Sequence, residues 1–162
     1  MQMNSESPPF AARISLDDLV ATEALGARIA AGLRKGDTVA LAGDLGAGKT
    51  TLARAILTSL GVKENMPSPT FTLVQTYETP GLTVRHFDLY RIEDEREIDE
   101  LGLDEAVEQG AVLIEWPERA GSRMPEDPLY VSLTTTSVQS RRAEIAGPAR
   151  WAAYLSDDPL AR

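Results

Sequence analysis

Apolar residues along this chain recur at helical spacing, alternate as in a half-buried strand, or run unbroken, and the switches between these patterns mark its elements. Phe10 to Ile14 has the form of a short strand, and Ser15, with Asp17 and Asp18 in the first turn, predicts a helix start. Leu25, Ile29 and Leu33 form an i, i+4, i+8 stripe; Leu16, Leu19 and Val20 lie off it, so burial of more than one face is expected. Gly36-Asp37 ends that helix. Thr38-Val39-Ala40-Leu41-Ala42 is an unbroken apolar run, as in a strand covered on both faces. Helical spacing resumes at Leu52, Ile56 and Leu60, and Gly61 stands at the position of a C-terminal cap. Residues 62–69 read as a loop held extended by Pro67 and Pro69.

Further on, Thr70 to Thr79 alternates, with Phe71, Leu73 and Tyr77 on one face. A turn at Thr79-Pro80-Gly81 returns the chain as a strand from Leu82 to about Tyr90, and two strands joined so tightly are antiparallel. Glu93 to Gln109 reads as two short helices around Gly102, its acidic residues a solvated face. Ala111 to Glu115 is a second apolar strand. Leu129 to Thr134 alternates and is expected to pair with Arg142 to Ile145. Trp151 to Leu155 reads as a short terminal helix in a weakly ordered tail. The polar ends, residues 1–9 and 157–162, are expected to be loose around a single unit over 10–156.

The segment between the first apolar run and its following helix changes this outline into a chemical expectation. Gly43, Gly48, Lys49 and Thr50 satisfy the G-x-x-x-x-G-K-[ST] spacing of a phosphate-binding loop. Glycines at 43, 46 and 48 let the backbone N–H groups of Asp44, Leu45, Gly46, Ala47, Gly48, Lys49, Thr50 and Thr51 approach phosphate oxygens. Lys49 is placed to reach the β- and γ-phosphates, and the Thr50 hydroxyl to ligate Mg²⁺. The expected fold is therefore an α/β domain of P-loop NTPase type, a mixed sheet flanked by helices in three layers.

Other candidates lie on the later strands. Alternation puts Val84, His86, Asp88 and Tyr90 on one face. For His86 the favoured reading is a partly buried histidine making a structural hydrogen bond, because the chain has no second histidine with which to build a metal site. Asp88, between Phe87 and Leu89, needs a donor or a cation if it is buried. The strand ending at Glu115 resembles the second nucleotide-site signature, an apolar strand delivering an acid to the metal or its water. Arg141 and Arg142 are within possible reach of a nucleotide, although exposed arginines commonly serve solubility.

Composition sets the bounds. A length of 162 residues suits one domain with a sizeable core. The charge balance of 16 basic and 25 acidic residues, net −9, with no lysine or arginine run, argues against a direct high-affinity nucleic-acid role. The absence of cysteine removes disulfides and thiolate chemistry. Met1 to Phe10 has neither a basic nor an apolar leader segment, and no apolar run reaches the ~18 residues of a membrane span, so a cytoplasmic protein is expected.

Four blocks in order, Gly43 to Thr51, Ser68-Pro69-Thr70-Phe71, His86-Phe87-Asp88-Leu89-Tyr90-Arg91 and Glu115-Trp116-Pro117-Glu118, resemble the bacterial TsaE (YjeE) family. The resemblance covers about Gly36 to Arg119. It implies a small P-loop ATPase of tRNA threonylcarbamoyladenosine biosynthesis, with ATP and Mg²⁺ as cofactors and the TsaB and TsaD proteins as partners, touching tRNA only through their complex. On the same basis Lys49 would bind phosphate, Thr50 and Glu115 would hold Mg²⁺, and Asp88 would act in hydrolysis or metal positioning. Ser68 to Phe71 would be a switch-like segment and Trp116 would lie near the nucleotide. The helix start at Ser15 to Asp18 and the Arg141 region would contact the base or ribose. Two other classes share the phosphate loop: a small-molecule kinase, with Asp88 as acceptor-activating acid, and a nucleotide-gated binding module with negligible turnover.

Overall fold

The structure, a computed structural model, describes residues 9–63, 66 and 73–156. Seven strands form one sheet: β1 (Phe10–Leu16), β2 (Thr38–Ala42), β3 (Val74–Thr79), β4 (Leu82–Asp88), β5 (Ala111–Glu115), β6 (Leu129–Thr135) and β7 (Arg141–Gly147). Their order is β1-β7-β6-β2-β5-β4-β3. The central strands β6, β2, β5 and β4 are parallel, while β1 and β7 on one side and β3 on the other run antiparallel to their neighbours. The mixed sheet expected from the tight turn at Thr79-Pro80-Gly81 is present.

Helices α1 (Leu19–Gly32), α2 (Lys49–Ser59) and α4 (Ala152–Leu155) cover one face, where Leu25, Ile29, Leu52 and Ile56 pack on Val39, Leu41, Leu113 and Val131. On the other face Phe87, Val112 and Ile114 pack against Ile98, Leu103, Ala106 and Ala120, which come from α3 (Leu103–Gln109) and two 3₁₀ segments, Glu95–Leu101 and Pro117–Arg123. This third layer stops short of β6, β7 and β1, whose Arg13, Tyr130, Ser132 and Glu144 line an open groove. β2 and β5, covered on both sides, are the two strands that read as unbroken apolar runs.

Several boundaries differ from the sequence reading. β1 continues to Leu16, and Asp18 rather than Ser15 caps α1, accepting the Ala21 N–H at 2.9 Å. Leu16 thus points into the core from a strand, while Leu19 and Val20, 57% and 69% exposed, bury no second helix face. The buried face of α1 is instead widened by small residues: a Cβ at Gly26 would lie 2.6 Å from that of Ala55, so glycine there lets α1 lie against α2. β4 ends at Asp88, which leaves Tyr90 outside the strand. Trp151 is not in a loose tail; it ends a 3₁₀ turn (Ala149–Trp151), is fully buried, and lies under the Arg150 guanidinium at 4.5 Å. The expected loose ends, residues 1–8 and 157–162, and the segment Ser68 to Phe71 lie outside the described residues. Among the described residues no helix is long and apolar enough to cross a membrane.

Candidate nucleotide and metal site

The carboxyl ends of β2, β5 and β4 lie side by side, with Leu41 opposite Glu115 and Asp88 opposite Glu115. β2 is flanked by β5 on one side and β6 on the other, and such a point, where successive connections leave in opposite directions, forms a crevice beyond the strand ends. The phosphate-loop segment, residues 43–48, opens there and α2 begins at Lys49. Gly43 has φ 142°, and a Cβ on it would stand 2.6 Å from the Leu133 carbonyl oxygen; Gly46 and Gly48 have φ 82° and 105°. All three are conformations that other residues rarely adopt.

Lys49 is 5% exposed. Its Nζ donates to the carbonyls of Gly43 at 2.6 Å and Asp44 at 2.9 Å, and lies 4.2 Å from the Trp116 ring centroid. Burial pushes the ammonium below the ordinary lysine range, and the carboxylates of Glu115, Glu118, Asp88 and Asp44 pull the other way. The loop thus holds a desolvated cation by its own carbonyls and an aromatic face, at the entrance to a helix N-terminus.

At the first turn of α2, Thr50 Oγ1 lies 2.9 Å from each oxygen of Glu115. Glu115 Oε2 is also 2.7 Å from His86 Nε2, and both residues are 2% exposed. A carboxylate accepts only, so the His86 proton facing it resides on Nε2. Asp88, also buried, accepts the Tyr90 N–H through Oδ1 at 3.0 Å, which supplies a donor of the kind its burial requires. His86, favoured above as a structural histidine, does make a buried hydrogen bond, but its partner is the carboxylate expected to serve the metal. Its alternation with Asp88 was the available signal; the register of β4 on β5, which aims both toward Glu115, was not.

Trp116 stands in the left-handed region at φ 59° and ψ 54°, its ring contacting Lys49 and also Tyr90, whose ring is tilted by 46° at 5.0 Å between centroids. Arg141 Nε donates to Ala47 O and Nη2 to Gly46 O, both at 3.1 Å, so its guanidinium braces the loop from the side. This clamp was not foreseen. A cavity of about 170 Å³ lies beside it, lined by Asp18, Thr22, Gly48, Thr51, Gln139 and Arg141. Asp18 and Arg141, read as base or ribose contacts, therefore meet at one hollow; Ser15 pairs with Arg142 on the outer strands and does not line it. Asp44, Leu45 and Gly46 form the exposed tip of the loop, Ala47 is buried under it, and Thr51 is exposed on α2.

Among the described residues no group of three or more histidine and carboxylate side chains could hold a metal unaided. Mg²⁺ does not require one, since it is usually bound by one or two protein oxygens together with phosphate and water. Thr50 and Glu115 supply a hydroxyl and a carboxylate already within 2.9 Å of each other, a hard-oxygen pair that fits it.

Residues 16–143 match the family model described as threonylcarbamoyl adenosine biosynthesis protein TsaE. A Rickettsia felis protein named tRNA threonylcarbamoyladenosine biosynthesis protein TsaE is 47% identical over 98 residues, 60% of this chain and 57% of that relative, so the match spans less than two thirds of its length. A Nostoc protein of the same name is 40% identical over 138 residues, 82% of this chain and 84% of the relative. The crystal structure of Bacillus subtilis YdiB superposes with a TM-score of 0.74 at 27% identity, covering 92% of both chains. With its P-loop NTPase-like sheet and a family match over most of its length, this chain belongs to the TsaE family.

Proposed function

We propose that the chain binds Mg·ATP in this crevice and hydrolyses ATP as the cytoplasmic ATPase component of tRNA N6-threonylcarbamoyladenosine biosynthesis, acting on a complex of TsaB and TsaD rather than on tRNA itself. The observation that carries the reading is the buried contact of Thr50 with Glu115 at the foot of a glycine loop whose lysine is desolvated. The names of the relatives supply the pathway, and the net charge of −9 supports leaving RNA contact to partners.

In this reading Lys49 leaves the Gly43 and Asp44 carbonyls and pairs with the β- and γ-phosphates, and the loop N–H groups take the remaining oxygens. Thr50 and Glu115 would hold Mg²⁺, which when bound supplies charge neutralisation at the transferring phosphate. Asp88, beside Glu115 on the next strand end, orients the attacking water or positions the metal from outside its ligand set. Trp116 shields one side of Lys49 from solvent. Because phosphoryl transfer depends on positioned charge, Asp88→Ala should lower turnover by at least ~10²-fold while sparing Mg·ATP affinity. Steady-state hydrolysis with TsaB and TsaD present, beside calorimetric affinity, measures both. Loss of Mg²⁺ dependence in Asp88→Ala would exchange its role with that of Glu115, and unimpaired turnover would remove Asp88 from the mechanism.

One observation favours a nucleotide-gated binding module as second reading: Lys49 contacts the Trp116 ring, which in turn contacts the half-exposed Tyr90 ring, so drawing Lys49 toward phosphate alters a surface ring. Partner binding compared in ATP, ADP and a non-hydrolysable analogue separates gating from turnover.

A further inference from the structure

Glu115 presents two oxygens to the site, and they are not equivalent. Thr50 Oγ1 is 2.9 Å from both, but Oε2 alone also meets His86 Nε2, at 2.7 Å. His86 reaches it from β4, two residues before Asp88, within a strand paired to β5 from Val84 to Asp88, and its ring is buried on the α2 side of the sheet. That hydrogen bond fixes the carboxylate rotamer and takes one lone-pair site of Oε2, leaving Oε1 the more open oxygen.

The two oxygens matter because the common divalent cations differ in how they use a carboxylate. Mg²⁺ demands near-octahedral coordination and takes one oxygen per carboxylate, whereas Ca²⁺ accepts six to eight oxygens and commonly takes both. Metal ligands are generally held by such outer hydrogen bonds, and losing one typically lowers metal affinity about 10-fold to 100-fold. Resting on the Mg·ATP reading given above, we propose that His86 is a positioning residue that selects Mg²⁺ over Ca²⁺: by restraining Glu115 and drawing on Oε2 it disfavours coordination through both oxygens and presents Oε1 to the cation. His86 touches neither cation nor nucleotide and acts through Glu115. The role makes the histidine's placement specific, since a purely structural residue could bond to any acceptor in the core.

The test compares wild type with His86→Leu, His86→Gln and His86→Asn, titrating a non-hydrolysable ATP analogue by calorimetry in EDTA, in Mg²⁺ and in Ca²⁺. Glutamine places an N–H donor near the position of Nε2, and asparagine, one methylene shorter, does not. The expected result is unchanged affinity in EDTA for all four proteins. The enhancement by Mg²⁺ should fall about 10-fold in His86→Leu and His86→Asn while the enhancement by Ca²⁺ is kept or rises, and His86→Gln should restore the wild-type preference. Should His86→Leu fail to fold, as its melting curve will reveal, the glutamine and asparagine variants decide alone. Parallel loss of both metal enhancements, or identical behaviour of glutamine and asparagine, overturns selection by His86. A wild type whose affinity is insensitive to Mg²⁺ overturns the Mg·ATP reading together with it, whereas a normal wild type whose variants keep its metal preference overturns the role of His86 alone.

Discussion

Two clusters of charged side chains, one at the carboxyl ends of β2 and β5 and one on the 3₁₀ segments that cover a face of the sheet, are built in opposite ways. In the crevice, Lys49, His86 and Glu115 are 5%, 2% and 2% exposed; Lys49 is held by backbone carbonyls, and His86 and Glu115 by the hydrogen bond between them. Beyond the opposite face, Arg123 bridges Asp99 at 3.0 Å and Glu95 at 3.1 Å, with side chains 33 to 56% exposed, and Ser122 also donates to Glu95. The exposed cluster satisfies each member with a partner of opposite charge and joins two 3₁₀ segments; water does the rest. The buried one holds a cation on carbonyls and an anion on a hydroxyl and an imidazole. Buried charges of that kind are weak contributors to stability, and desolvated charged groups in a cleft are candidates for chemistry. The difference teaches where to look for function: in the cluster whose charges are desolvated, not in the one with more ion pairs.

The comparison breaks most directly at Lys49. Lys49→Ala should cost about 2 to 4 kcal/mol of Mg·ATP affinity, on the order of 10²-fold, since a charge-assisted contact in a water-poor site is removed. Lys49→Arg should fail as well, because a planar fork does not replace a compact ammonium between two carbonyls. Calorimetric titration reads both, and wild-type affinity in either would take the loop out of the account.

A smaller effect is expected at Arg141, which touches the loop only through the carbonyls of Gly46 and Ala47. Arg141→Ala should loosen the loop and weaken ATP binding by about fivefold to tenfold, the worth of roughly one ordinary hydrogen bond. A loss confined to adenosine nucleotides and absent for inorganic triphosphate would instead make Arg141 a base or ribose contact through the adjoining cavity.

The smallest effect belongs to the exposed cluster. Arg123→Ala should leave Mg·ATP affinity within about twofold, as exposed ion pairs contribute little. Its signature is in acid. Hydrogen bonds from Arg123 hold the Asp99 carboxyl below its ordinary range, while Glu95 is lowered chiefly by Ser122. A carboxyl depressed in the folded state contributes stability above its ordinary pKa and loses it as pH falls through the folded value. Without Arg123, a carboxyl NMR titration should return Asp99 toward the ordinary range and leave Glu95 low. If both rise together, the network is one unit and not two local contacts.

Much of this architecture was legible in the sequence because it rests on local patterns. β2 and β5 are apolar throughout as strands covered on both faces must be, and the turn at Pro80-Gly81 required an antiparallel pair. Lys49, Thr50 and Glu115 were legible because a glycine loop and a strand-terminal acid each occupy a fixed place relative to their elements. What escaped depends on contacts between distant segments. His86 reaches Glu115 across 29 residues, and Arg141 reaches Ala47 across 94, with no local period to announce either. Asp18 displaced Ser15 as the cap of α1 because β1 pairs with β7 as far as Leu16, a tertiary contact overriding a local signal. The acidic segment read as merely solvated proved to hold Arg123 for the same reason.

The central claim is that Thr50 and Glu115 form the protein half of a Mg²⁺ site at the phosphate loop. It is tested most directly by the affinity for ATP, measured with and without Mg²⁺, of wild type and Glu115→Ala. Mg²⁺ should strengthen binding to wild type, Glu115→Ala should lose that gain by about tenfold or more, and both should bind metal-free ATP nearly alike. Equal Mg²⁺ enhancement in the two proteins would contradict it.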